Sequence, residues 1–237
     1  ESAGIILEPV NYNSGGSLPR DGYLKRLRKI TEENNILLIF DEILSGFRTG
    51  TSCIQGLYGV TPDITTLGKA IGGGVPLSAF VGRRAVMESV APLGAMMHSG
   101  TYNANAATIF CGNAFMDEVA QPGVYDALIE RSERFYEELN GVFVSAGFPA
   151  RVCGLGARCG MLFGDAADKE PVSYADVAGQ DWNLGRAFFR EAFDRGVFFN
   201  NGWHQGLSFA HSDSDVDQIL TVSAAAVRAL AGQKPAV

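Results

Sequence analysis

Hydrophobic and polar positions alternate in blocks along the first eighty residues. GIILE at 4–8 is an uninterrupted apolar run, the pattern of a strand buried on both faces. DGYLKRLRKITEEN at 21–34 follows, with Tyr23, Leu24, Leu27 and Ile30 at helical spacing and Asp21 as the expected N-cap. ILLIF at 36–40 predicts a second buried strand that runs straight into Asp41 and Glu42. DITTL at 63–67 predicts a third, ending in Gly68-Lys69, and LSAFV at 77–81 a fourth. Strands alternating with helical stretches predict an α/β sheet of parallel strands joined by right-handed crossovers.

After about residue 85 the pattern changes. Helices are expected over 102–119 and 123–146, a hairpin with glycines at its bend over 150–163, and an amphipathic helix over 181–195. Short strands are expected at 197–200 and 207–210, and a last helix over 213–230 capped by Ser212 or Asp213, with a frayed tail at 232–237. This half reads as α+β. The expected division is a large domain over 1–120 and a linking helix with a small domain over 121–237. The chain starts ESAGIILEPV, already inside a strand, so the expectation is a piece of a longer protein whose preceding strands are absent.

Composition narrows the class. Over 237 residues, 46% are hydrophobic and 19% charged, and there are 29 glycines, a mix suited to an α/β enzyme with tight strand-to-helix turns. A net charge of −7 gives no basic face for nucleic acid or an anionic membrane, and no apolar stretch reaches the ~20 residues of a membrane-spanning helix. Cys53, Cys111, Cys153 and Cys159 form no CxxC pair, and the three histidines show no metal spacing, so no metal is expected. Free thiols point to a reducing cytoplasm.

Three expected strands deliver a charge at their carboxyl ends: Glu8, Asp41 and Lys69. Open α/β sheets bind ligands outside those ends. Charged residues there also serve simply as soluble turn caps, and position alone does not decide between the two. The local sequences do. Asp41 sits in FDEILSGFRTG, Lys69 in TTLGKAIGGGVPLSAFVG, and both occur with EPV at 8–10, GVTPD at 59–63, GRR at 82–84 and HSGTYNAN at 98–105. Together these segments resemble the class III aminotransferases, most nearly their glutamate-1-semialdehyde aminomutase branch, densely over 1–120 and weakly beyond.

The resemblance implies the aspartate-aminotransferase-like fold of pyridoxal-phosphate (PLP) enzymes, with Lys69 as the Schiff-base lysine and Asp41 as the partner of the pyridinium nitrogen. A lysine ammonium is a poor nucleophile, and a cationic ring plus partial desolvation favours its imine or neutral amine form. A carboxylate at Asp41 keeps the ring nitrogen protonated and the ring a good electron sink. By the same resemblance Ile43 packs on the ring; in an extended chain it shares Asp41's face. Gly100-Thr101 reaches the cofactor phosphate across a homodimer interface, with Thr101 also a candidate N-cap. Trp203 and His204, in NNGWHQGLSFAH, correspond to a segment near the substrate. The glycines at 72–74 are expected to allow close backbone approach around the lysine turn. Glu8 is expected to anchor the surroundings of the site, and Arg48 to pair with a carboxylate or support the fold. The partners implied are a small-molecule amino donor and acceptor.

The chain departs from the family pattern in three places. Asn11-Tyr12-Asn13-Ser14 replaces the usual Gly-Asn-Met-Gly, Ala106 stands where proline is usual, and the glutamate common near the aminomutase C-terminal segment has no counterpart. Three functions stay open at this level: transamination between an amino compound and a keto acid or aldehyde, intramolecular amino transfer, and a truncated non-catalytic or dimerisation module.

Overall fold

In the computed structural model, residues 2–200, 202 and 204–232 are described. Trp203 and the end of the chain from 233, where fraying was expected, lie outside the described residues. The chain divides into two compact units, one of residues 1–10 and 19–124, the other of 11–18 and 125–237.

The first unit is a four-stranded sheet in the order β1 (Gly4–Leu7), β2 (Leu37–Glu42), β3 (Ile64–Leu67), β4 (Ala79–Gly82). β1, β2 and β3 run parallel. β4 runs antiparallel to β3, which leaves the sheet mostly parallel. The reason is the connection. Residues 68–78 hold only a 3-10 turn at Lys69–Gly72 and the glycine turn after it, too little chain for a helical crossover. Gly73 and Gly74 have φ of 59° and 106°, and a Cβ on Gly73 would stand 3.2 Å from the Cys111 carbonyl oxygen. The glycines thus bring the turn against the later helix α4, as their cluster suggested.

Helix α1 (Tyr23–Glu33) packs on β2, but its inner face is Leu24, Leu27, Arg28 and Thr31; Tyr23 and Ile30 face solvent. Arg28 reaches inward to the buried Asp63, which rotates the face away from the purely apolar stripe. Asp21 is not the N-cap. That position is Gly22, at φ 75°, without a side-chain hydrogen bond. Short helices α2 (Cys53–Tyr58) and α3 (Arg84–Met87) follow β2 and β4, and α4 (Ala106–Val119) closes the unit.

The second unit is built on the long helix α5 (Val124–Ser145), whose first residue still belongs to the first unit, and the hairpin β5 (Ala150–Leu155) and β6 (Arg158–Phe163). Helix α6 (Tyr174–Val177), helix α7 (Trp182–Asp194), strand β7 (His204–Gly206) against β6, and helix α8 (Asp213–Ala231) complete it. Asp181 caps α7 by accepting from Asn183 and Leu184 N–H. Ser212 caps α8 in a reciprocal box with Asp215.

The two short strands expected here fall elsewhere. Residues 197–200 pair with no strand among the described residues. Instead Asn200 is held at both backbone groups by the Gln205 side chain, its N–H donating to Oε1 at 2.8 Å and its carbonyl accepting from Nε2 at 2.5 Å. The strand is His204–Gly206, three residues before the expected one. Residues 11–18 lie along the hairpin, where Tyr12 is fully buried and its hydroxyl donates to the Leu155 carbonyl at 2.7 Å. Gly160 makes that possible, since a Cβ there would sit 2.2 Å from Gly15 backbone. The Asn-Tyr-Asn-Ser departure therefore places a core tyrosine in the second unit.

Candidate functional site

The parallel register fixes where the charges go. Leu7 pairs with Phe40, and Asp41 pairs with Thr66. Glu8, one residue past β1, Asp41, the last residue but one of β2, and Lys69, two residues past β3, therefore stand at the same carboxyl edge of adjacent strands. Lys69 is exposed and has φ 46°, a left-handed backbone that costs a non-glycine residue roughly 1–2 kcal/mol. The desolvation expected around its amine is not supplied by this unit.

Asp41 is half-buried. Its Oδ1 accepts two hydrogen bonds, from Ile43 N–H at 3.0 Å and from the Thr66 hydroxyl at 3.1 Å. Among the described residues no donor reaches Oδ2. Ile43 is not in extended chain as expected. β2 ends at Glu42, and residue 43 begins a turn whose N–H bonds back to Asp41. The turn also presses Ile43 on Gly68, where a Cβ would lie 3.2 Å from Ile43 Cγ2.

A cavity of about 780 Å³ opens next to these groups, lined by Ile43, Thr66, Phe80, His98, Tyr102 and Asn113 among others. Its size is within the ~300–1,000 Å³ of small-molecule sites. The Asp41 and Lys69 side chains are not part of its wall; Asp41's two hydrogen-bond donors are. His98 stacks edge-on against Phe80 with centroids 4.9 Å apart.

Gly100 and Thr101 lie in an exposed turn ahead of α4. Thr101 is not the N-cap of that helix. Asn105 is, its side chain accepting from Thr108 N–H at 3.3 Å. The turn continues into Tyr102, Asn103 and Ala104, which line the cavity. His204 belongs to the second unit, where its Nδ1 accepts from the Arg158 guanidinium at 2.8 Å. A hollow of about 520 Å³ in that unit lies between Arg186, Arg190, Phe193 and Phe198 along α7.

Two buried carboxylates that the sequence did not single out hold the frame. Glu42 is fully buried and accepts from Ile54 N–H at 2.8 Å, Gln55 N–H at 3.3 Å and the Ser45 hydroxyl at 3.3 Å, so it caps α2 from a distance. Burial pushes its carboxyl above the usual range, against those three donors. Burial, then the Glu42 charge, push the neighbouring Cys53 thiol up to about 11. Asp63, also fully buried, accepts from Leu38 N–H at 2.7 Å and Arg28 at 2.9 Å, and pairs with Arg83. It fastens β2, α1 and the start of α3 to the head of β3. The only signal for either was an acid abutting an apolar run, which Asp41 shares.

The family model for class-III aminotransferases matches residues 1–215. The glutamate-1-semialdehyde 2,1-aminomutase of Nitrosospira multiformis is 37% identical over 225 residues, 94% of this chain and 52% of that protein. That of Methanospirillum hungatei is 40% identical over 232 residues, 97% of this chain and 54% of that protein. Among solved structures, an omega-transaminase from Sphaerobacter thermophilus superposes with a TM-score of 0.86 at 29% identity, covering 95% of this chain and 51% of that one. The chain spans about half the length of the curated relatives it matches. A match over nine-tenths of its length, carried by a sheet with the expected mostly parallel order, settles the assignment: this chain belongs to the class-III aminotransferase family.

Proposed function

We propose that this chain carries the reactive edge of a pyridoxal-phosphate site and that the protein transfers an amino group from an amino acid or amine to a keto acid or aldehyde. The observation that carries the reading is the pairing of Asp41 with Thr66 on adjacent parallel strands, which brings Asp41 and Lys69 to one sheet edge and leaves Asp41 Oδ2 unclaimed beside a ligand-sized cavity. These residues fit the cofactor. Asp41 Oδ2 would accept the ring N–H, and its charge would keep that nitrogen protonated. Lys69 is the covalent attachment point and carries the proton at its Nζ during transfer. Ile43 bears on the ring, and the Gly100-Thr101 turn holds the phosphate across a homodimer interface. Trp203 and His204 are assigned to the substrate on the family likeness of their segment alone. When bound, pyridoxal phosphate supplies the electron sink for charge developing at the substrate carbon. A cytoplasmic location is proposed from the four free cysteines. No described helix is long and apolar enough to cross a membrane.

A second reading, intramolecular amino transfer of the aminomutase type, is favoured by the names of the curated relatives, at 37–40% identity. Amino donor offered with and without a keto-acid acceptor separates the two, since only the intramolecular reaction turns over without one.

The test is borohydride reduction of the full-length, cofactor-loaded protein followed by peptide mapping. The label is expected on Lys69 and absent from Lys69→Ala. A label retained in that variant overturns the assignment, and a full-length protein that takes up no cofactor favours a non-catalytic module. Residues 1–237 alone are expected to bind the cofactor weakly, because the family's remaining walls are not in this chain.

A further inference from the structure

We infer that Thr66 is a positioning residue that fixes which oxygen of Asp41 faces the ligand, an inference that rests on the reading of Asp41 as the acceptor for a cationic ring nitrogen. Asp41 and Thr66 are register partners on parallel strands, so their side chains leave the sheet on the same face within reach of one another. The Thr66 hydroxyl donates to Asp41 Oδ1 at 3.1 Å, and Ile43 N–H donates to the same oxygen at 3.0 Å. Two donors on one oxygen hold the carboxylate in a single orientation. Oδ2 is the oxygen left for an incoming N–H.

The backbone donor belongs to the turn that Asp41 itself begins, so any residue at 43 except proline supplies it. The side-chain donor comes from a different strand. It ties the carboxylate's orientation to the β2–β3 register, and at position 66 only a hydroxyl of this reach does so. Thr66 also lines the cavity wall, so the residue that orients the acid is in contact with the space that the ligand enters. A carboxylate free to rotate would share its oxygens between the ligand and the Ile43 N–H, and would lose orientation entropy on each binding event.

The experiment is titration of the full-length apo-protein with pyridoxal phosphate, read by absorbance, for wild type, Thr66→Val, Thr66→Ser and Thr66→Ala. Valine keeps the shape and β-propensity and removes the donor, and serine keeps the donor. Thr66→Val and Thr66→Ala are expected to raise Kd about tenfold, equivalent to about 1.4 kcal/mol, with Thr66→Ser within about threefold of wild type. The same Thr66→Val change made in an Asp41→Ala background is expected to add nothing, because its effect passes through the carboxylate. An equal loss in that background shows a general wall or folding role and overturns the inference. So does a Thr66→Val Kd at the wild-type value while Asp41→Ala binds weakly. An Asp41→Ala protein that binds as wild type overturns the underlying reading instead.

Discussion

Among the described residues, every non-glycine at positive φ is in the first unit: Asn35, Phe47, Cys53, Lys69 and Ala104. So are the two fully buried carboxylates, Glu42 and Asp63. Its apolar core is divided between a cluster of Leu24, Leu38, Phe40 and Val60 and another of Phe47, Cys53 and Leu67. The second unit is the reverse. One large core joins α5, the hairpin, α7 and α8, beside a small cluster of Leu162, Ala166, Ala167 and Val177, and its rings Phe143, Phe148, Phe163, Phe189 and Phe199 each lie 5.5–6.0 Å from Phe188. Its positive-φ residues are glycines. Strained backbone and fully buried carboxylates gather in the unit that also carries Asp41, Lys69 and the 780 Å³ cavity. The second unit, by contrast, buries no carboxylate fully among its described residues and rests on its aromatic core.

That contrast can be broken at its strongest point first. Phe188 is fully buried at the centre of the ring cluster, so Phe188→Ala should destabilise the second unit by about 3–5 kcal/mol. Both tryptophans, Trp182 and Trp203, belong to that unit, so fluorescence-detected urea unfolding reads the loss directly. A loss below about 1 kcal/mol would mean that the ring cluster is not its main support.

Glu42→Ala should cost the first unit about 2–3 kcal/mol, by stranding the Ile54 and Gln55 amides that the carboxylate satisfies. Faster hydrogen exchange across β2 and α2, with a smaller movement of the tryptophan transition, is the expected result. Unchanged exchange would show that Glu42 is dispensable to the frame.

The smallest effect concerns pH. Burial pushes the Cys159 thiol up to about 12, from an ordinary value of 9.0. A raised folded value means that the neutral form is held in the fold, so this stability is complete below pH 9 and is lost as pH rises toward 12. At pH 10 the loss from this thiol is about 1 kcal/mol. Cys153, pushed up to about 11, adds to it in the same direction. Cys159→Ala should flatten the alkaline slope of the tryptophan-detected transition, and an unchanged slope would assign that slope to other groups.

The elements were legible where the chain's own periodicity dictates them. Apolar runs marked β1, β2 and β3, and the Ser212 cap marked α8 to within a residue. Asp41 and Lys69 stood out because the segments around them, at the ends of two apolar runs, resemble those of the class III aminotransferases. Thr66 could not be seen as Asp41's partner, because the two are 25 positions apart and meet only through the strand register. Thr101 looked like a cap because a polar residue precedes a helical pattern, but the helix begins five residues later at Ala106, behind Asn105. At 197–200 the short apolar run Val-Phe-Phe before Asn200 suggested a strand, and a glutamine side chain took the ladder's place.

By itself, then, the sequence determined the first four strands, the long helices and which residues end the parallel strands, because side-chain periodicity and local turn chemistry act over a few residues. Only the tertiary structure decided that β4 reverses direction, that residues 11–18 belong to the second unit, that Glu42 and Asp63 are buried, and that Asp41 presents one free oxygen. Those outcomes depend on contacts between distant positions, which local patterns do not encode.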